Sequence, residues 1–175
     1  MRADGDVELR RIVPGDWPAL KALRLEALQE CPIAFCERYA DAVRETDDCW
    51  RARTTRGAEG GDSYQVLAWL RGLPVAMSVG HLDSGDAVLA AVYVTPVCRG
   101  RGVLDALVER VAGWARERSC PRLRLLVHES NVPAQRAYAR LGFVPTGHRE
   151  PYPLDPTTEE VELARALGPG APRVR

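Results

Sequence analysis

Along the chain, apolar positions first alternate with polar ones, then recur at helical spacing, then run together, and these changes of pattern delimit the elements. Val7 to Val13 alternates loosely and predicts a first strand, which Pro14-Gly15-Asp16 breaks. Asp16 supplies a helix N-cap, and Pro18 falls in the first turn, where a missing N–H removes no helical bond. Leu20, Leu23, Ala27 and Leu28 recur at helical spacing up to the stop at Pro32. Phe35 to Arg56 is helix-compatible but polar, with Thr46 a second N-cap ahead of Trp50, and predicts two short helices.

Gly57 to Ser63 reads as a polar loop. Tyr64 to Leu70 and Val75 to Leu82, joined by Arg71-Gly72-Leu73-Pro74, predict a β-hairpin, and Asp83 to Asp86 a second turn. Val88 to Val94 is almost wholly apolar, as a central strand covered on both faces must be, and it ends at Thr95-Pro96. Leu104, Leu107, Val108, Val111, Trp114 and Ala115 then mark a long amphipathic helix to about Arg118. Leu123 to Val127 predicts a short strand. Ala134, Ala137, Tyr138 and Leu141 form a helical stripe closed by Gly142, and Phe143 to His148 and Val161 to Leu167 are the last strands, the latter also fitting a helix by pattern.

Composition narrows the class. A chain of 175 residues with 46% apolar positions can bury a sizeable core, and neither repeats nor a long linker divide it. One domain over residues 1–167 is expected, with residues 168–175 a disordered tail. The 24 basic and 24 acidic side chains cancel, which argues against a uniformly basic nucleic-acid binder. No apolar run is long enough to span a bilayer, and Asp4, Asp6 and Glu8 do not resemble a signal peptide, so a cytoplasmic protein without a membrane partner is expected. The five cysteines show no metal-ligand spacing, and neither a disulfide framework nor a metal is expected.

Chemistry concentrates after the apolar strand. Val92 to Gly102 runs from that strand through Pro96 and a Gly-containing turn, Arg99-Gly100-Arg101-Gly102, into a helix start. Unpaired N–H groups and a positive dipole at a helix N-terminus bind phosphate, glycines let the backbone come close, and Arg99 and Arg101 add charge. Neither a P-loop nor a dinucleotide fingerprint is present, since Asp105 stands where the latter needs Gly or Ala.

Thirty residues on, Val127 to Phe143 carries Asn131, Ala134, Tyr138 and Leu141-Gly142-Phe143. This pair of segments, in this order, resembles the GNAT superfamily of acyl-CoA-dependent N-acetyltransferases: a strand ending V-x-P, then [RQ]-x-x-G-x-[GA] and a helix, followed by strand, Asn, a helix with A-x-x-x-Y, and L-G-F. Leu104 departs from the pattern, where the family usually has Gly or Ala. The resemblance implies an α/β fold with a mixed, mostly antiparallel sheet of about six or seven strands, about four flanking helices, and a splayed central strand pair forming the CoA cleft.

It further implies acetyl-CoA as co-substrate, with backbone groups of Val92, Tyr93 and Val94 along its pantetheine arm. Gly100, Arg101, Gly102, Val103, Leu104 and Asp105 would surround the pyrophosphate, and Arg99 and Asn131 would contact the cofactor, Asn131 being equally suited to capping a helix. A primary amine would attack the thioester directly, with the Val94 N–H facing the developing oxyanion and Tyr138 protonating the leaving thiolate. By periodicity alone Tyr138 continues a core stripe. The acceptor would be a small molecule or a protein amine, and the enzyme a monomer or homodimer.

The general base is not legible, since Leu126 occupies the position where some relatives place a Glu. Glu26, Glu30, Glu37, His81, Asp83, His128 and Glu129 remain possible, each also an ordinary surface residue. Phe35, Tyr39, Trp50 and Tyr152 are candidates to line an acceptor pocket, and Cys98 beside Arg99 is a candidate activated thiol. Two other functions fit the residues: a non-catalytic acyl-CoA sensor, and a nucleic-acid-binding domain using the arginine cluster. Charge divides along the chain. Val97 to Arg149 holds ten Arg against four acidic residues, and the remainder is correspondingly acidic, suited to a cationic amine.

Overall fold

The computed structural model describes residues 7–168. Seven strands form one sheet in the order β1-β2-β3-β4-β5-β7-β6. They are β1 (Glu8–Arg11), β2 (Ser63–Leu70), β3 (Leu73–Asp83), β4 (Asp86–Val94), β5 (Arg122–His128), β6 (Val144–Tyr152) and β7 (Asp155–Ala166). The five helices are α1 (Trp17–Glu30), α2 (Tyr39–Ala42), α3 (Asp47–Glu59), α4 (Val103–Glu117) and α5 (Val132–Arg140). All pairings are antiparallel except β4 with β5. The mixed, mostly antiparallel α/β architecture is as expected; α2 and α3 fall where the pattern predicts two short helices, which makes one more than the about four that the resemblance implies.

Side-chain alternation distributes the core over both faces of the sheet. Leu67, Met77 and Tyr93 point to one face and pack with Leu20, Leu23, Ala27 and Leu28 of α1 and Trp50 of α3. On the other face Leu89, Leu123, Leu125 and Leu163 meet Val108, Val111, Ala112 and Ala115 of α4, and Tyr138 of α5 joins them.

The sheet is interrupted at its centre. β4 and β5 share only two rungs, Ala87 with Leu123 and Val88 with Arg124, although β4 runs on to Val94 and β5 to His128. At the joined end Arg124 contacts Asp83 at 2.7 Å, Glu162 at 2.7 Å and the buried Asp86 at 3.1 Å, while Arg122 reaches Asp86 at 2.7 Å. Beyond it β4 bulges. Val79 opposes Ala90 and Met77 opposes Tyr93, leaving Ala91 and Val92 against Ser78 alone, with Ala91 at φ 50°. A bulge bends its strand and increases its twist, and a left-handed non-glycine residue persists only where its surroundings impose it. The two strands therefore part into a wedge.

Some boundaries differ from expectation. The predicted loop from Gly57 instead continues α3 to Glu59, because Gly57 is buried where a Cβ would meet Gln65 at 2.6 Å. The last two strands are much longer than predicted, and the Pro-rich stretch from Pro151 to Pro156 is their hairpin. β6 is an edge strand, and its prolines, Pro145 and Pro151, lie where a missing N–H is tolerated. Phe35 lies outside the helices, whereas Thr46 caps α3 by accepting from Cys49 N. Val161 to Leu167 is strand rather than helix as far as Ala166. The expected tail lies outside the described residues beyond Gly168.

Gly80 on β3 lets α4 pack closely on the sheet: a Cβ there would sit 2.6 Å from Val111 Cγ1 and 3.1 Å from the Trp114 ring. Gly80→Ala should destabilise by about 1–3 kcal/mol through overpacking. Urea unfolding should show a lower midpoint with an unchanged slope.

Candidate active site

The wedge, the turn after β4 and helix α5 enclose a cavity of about 700 Å³. Of the sequence-predicted residues, Val92, Tyr93, Val94, Arg99, Gly100, Gly102, Val103, Leu104, Asp105, Asn131 and Tyr138 all line it, and Arg101 does not. Cys31, Ala34 and Phe35, from the connection after α1, close one side. Phe35, expected in the acceptor pocket, thus lines the cleft itself, whereas Cys31 and Ala34 had no sequence signal beyond the helix stop at Pro32.

Backbone polarity is directed into this cavity from two sides. Thr95 N donates to Val75 O at 2.9 Å, which makes Thr95 a bonded partner of β3. Because bonding alternates along an antiparallel pair, the N–H and C=O of Val94 point the other way, into the wedge where β5 has departed. The Val94 carbonyl accordingly accepts from Arg99 Nε at 3.0 Å. On the second side, the first bond of α4 is Ala106 N to Gly102 O at 3.0 Å, leaving the N–H groups of Val103, Leu104 and Asp105 without helical partners. Gly100 at φ 71° and Gly102 at φ 78° adopt the left-handed backbone that glycine allows, and nothing lies within 4 Å of where their Cβ atoms would be.

Side chains complete the lining. The Arg99 guanidinium pairs with Glu30 of α1, which holds that carboxyl below its usual range. Asp105, beside the α4 N-terminus, forms a bidentate pair with Arg140 of α5 at 2.7 and 2.9 Å. Asn131 caps α5 through Oδ1, accepting from Ala134 N at 3.3 Å. Leu104 turns partly into the core around Val108 and lines the cavity with the rest of its surface. Tyr138 stacks edge-on against Phe143 at 5.6 Å, and its hydroxyl has no hydrogen-bond partner among the described residues. Burial raises its pKa above the ordinary tyrosine value, so it is protonated at neutral pH.

A second cavity of about 450 Å³ lies on the opposite face, between α1, α3 and strands β2 to β4. Trp50 lines it, whereas Tyr152 is buried and donates to Phe35 O at 2.8 Å. Tyr39 packs against the core beside α1 and α3. Cys98 is fully buried with Val103 and Leu107.

The carboxylates considered as bases are engaged. Glu26 accepts from the Tyr93 hydroxyl at 2.9 Å, Glu37 from Arg24 and Arg53, Asp83 from Arg124 and Glu129 from Arg149. His81 lines a separate groove with Arg124, and His128 bonds Ser130 and Thr158. Glu160 carries no signal in the sequence, where it is one acid in an exposed-looking polar run. It is 6% exposed, and its carboxyl accepts from the Cys36 thiol at 3.6 Å. Burial pushes Glu160 above the usual carboxylate range, with Glu150 reinforcing the rise and Cys36 and His128 opposing it. The same burial and the nearby carboxylate push the Cys36 thiol up to about 11.

Comparison with known proteins accords with this architecture. The acetyltransferase (GNAT) family matches residues 20–143, well over half of the chain. The chain belongs to that family. Among solved structures, a GNAT-family acetyltransferase from Streptococcus pneumoniae has a TM-score of 0.78 at 19% identity, over 93% of this chain and 100% of its own. The PaiA N-acetyltransferase of Thermoplasma acidophilum, in complex with coenzyme A, scores 0.76 at 15% identity, over 92% and 99%. YncA of Salmonella typhimurium, with its cofactor acetyl-CoA, scores 0.74 at 16%, over 97% and 98%.

Because the folded state holds the Glu160 proton at pH values where the unfolded chain has released it, stability falls as pH rises through that window. Glu160→Gln should therefore raise the melting temperature at pH 7 and give no gain below about pH 4, where both states are protonated. Thermal unfolding at the two pH values checks this, and an equal gain at both would refute the ionic cause.

Proposed function

We propose that the wedge binds acetyl-CoA and that the protein transfers its acetyl group to a primary amine in a ternary complex. The observation that carries the reading is convergence: outward-facing main-chain groups of β4, the unpaired N-terminus of α4 and the unpartnered Tyr138 hydroxyl share one cavity. The α4 amides after Gly102 receive the pyrophosphate, with Arg140 neutralising the Asp105 carboxylate that would otherwise repel it. Val92, Tyr93 and Val94 run along the pantetheine arm, which takes strand-like bonds from the main-chain groups that face away from β3, and Asn131 borders it. The reading treats the chain up to Leu167 as one catalytic domain.

Each chemical role follows from position. An ammonium acceptor first loses its proton, and the free amine attacks the thioester carbonyl carbon. The Val94 N–H faces the oxygen on which negative charge develops. As the C–S bond breaks, Tyr138 gives its proton to the sulfur, and the proton that the acylated nitrogen loses returns to the Tyr138 oxygen. A phenol is protonated over the whole neutral range, and the raised pKa of Tyr138 extends that range upward. The acceptor is a small-molecule or protein amine.

Tyr138→Phe should retain acetyl-CoA affinity while kcat falls by roughly 10² to 10⁴, the usual range for a lost general acid. Steady-state thiol release over a panel of amines, with titration calorimetry for the cofactor, measures both. Unchanged turnover at saturation would remove Tyr138 from the mechanism, and acetyl-CoA binding without any acceptor-dependent release would favour a sensor. Gly102→Asp should weaken CoA binding by at least ten-fold, whereas Gly102→Asn, which tolerates the same left-handed backbone without the charge, should weaken it far less. Equal affinities would mean that the phosphate lies elsewhere.

A further inference from the structure

The second cavity carries a chemistry of its own. Arg24, Arg53 and Arg56 line it with a single acidic residue, Glu37. Glu37 is divided between Arg24 at 2.8 Å and Arg53 at 2.9 Å, and outside the cavity lining Glu45 reaches Arg53 at 3.7 Å, so Glu37 is the one carboxylate paired with Arg24. Arg24 Nη1 is buried with no hydrogen-bond partner. Arg56, exposed at the rim, makes no side-chain hydrogen bond or ion pair among the described residues. Ser63 and Gln65 line the floor at 7% and 6% exposure, and neither side chain has a hydrogen-bond partner among the described residues.

Buried polar groups without partners are costly, and a guanidinium fork matches a carboxylate in shape and charge. Burial also draws the Arg24 pKa down, the mark of a cation short of compensating charge. The position is equally informative. Ala91 and Cys36 line this cavity, while their neighbours in the chain, Val92 and Phe35, line the cofactor cleft. Consecutive Cα atoms lie ~3.8 Å apart, so the two cavities share a wall one residue thick at the bulge of β4.

We infer that this cavity is an anion subsite for the acceptor and that the acceptor is an amine bearing a carboxylate. The carboxylate lies among Arg24, Arg53 and Arg56 with Gln65 and Ser63 donating to it, and the amine reaches past Ala91 towards the thioester. The inference rests on the acetyl-transfer reading of the neighbouring cleft. It replaces the expectation, drawn from the acidic balance of these segments, of a subsite for cations: the carboxylates there are spent on arginines.

Matched amine triplets test it on the full-length chain: α- and ω-amino acids, their carboxamides, and the amines lacking the carboxyl group. The acids should show at least ten-fold higher kcat/KM than either counterpart, and Arg56→Gln or Gln65→Leu should collapse that ratio towards one. A ratio near one in the wild type, or a loss in the variants that is equal for all three members, would overturn the inference. If no amine turns over, the N-acetylated acids and their amides are titrated calorimetrically into the CoA-mixed protein. Selective binding of the acid, lost in Arg56→Gln, upholds the anion subsite even though the catalytic reading has failed, and no selectivity overturns it. Inorganic phosphate alone forms the last arm: displacement of the acid by phosphate at equal or lower concentration would overturn the carboxylate assignment.

Discussion

Two rungs join β4 to β5, and the cavity between the parted strands depends on there being no third. At the closed end Arg124 is held among Asp83, Asp86 and Glu162, carboxylates from β3, β4 and β7. Removing one member of such a partly buried cluster leaves charge uncompensated, so the strands are fixed where they meet. At the open end the bulge at Ala91 turns β4 away while β5 stays bonded to β7 along its whole length. A clamp and a bulge six residues or fewer apart convert a continuous sheet into one with a permanent opening.

That opening resolves a conflict between sheet and site. Main-chain N–H and C=O groups inside a sheet normally satisfy each other, and an unpaired set within the protein is costly. Here the N–H of Val94, the N-terminus of α4 and the hydroxyl of Tyr138 are left over together, around one volume. Packing sustains the exception: Leu104 and Tyr138 anchor their outer parts in the core around Val108 and Phe143. The unsatisfied groups are thus held by well-packed neighbours.

Local rules reached some of this and not the rest. The amphipathic period of α4, the cap at Thr46 and the glycine turn before Val103 involve residues close in sequence, and the chain spelled them out. The family resemblance brought the cleft residues together, and the cavity holds all of them but Arg101. What escaped required contacts between distant segments. Gly57 looks like a helix breaker until Gln65 is seen against it, and the prolines of β6 look like a loop until that strand is placed at the sheet edge. The arginine cavity draws on α1, α3 and three strands, so no spacing announces it, and net charge along the chain pointed to the opposite polarity. Glu160 is hidden for the same reason, since only the fold brings Cys36 across to cover it.

The two cavities are built from different materials. The turn from Gly100 to Asp105 offers main-chain amides, whose placement depends on two glycine conformations and tolerates many neighbouring side chains. The arginine cavity depends on the identity of a few side chains scattered over the chain. Substitution can therefore rewrite one half of the molecule while the other stays fixed, so that, on the proposed reading, a lineage of such proteins could exchange acceptors while inheriting a single donor.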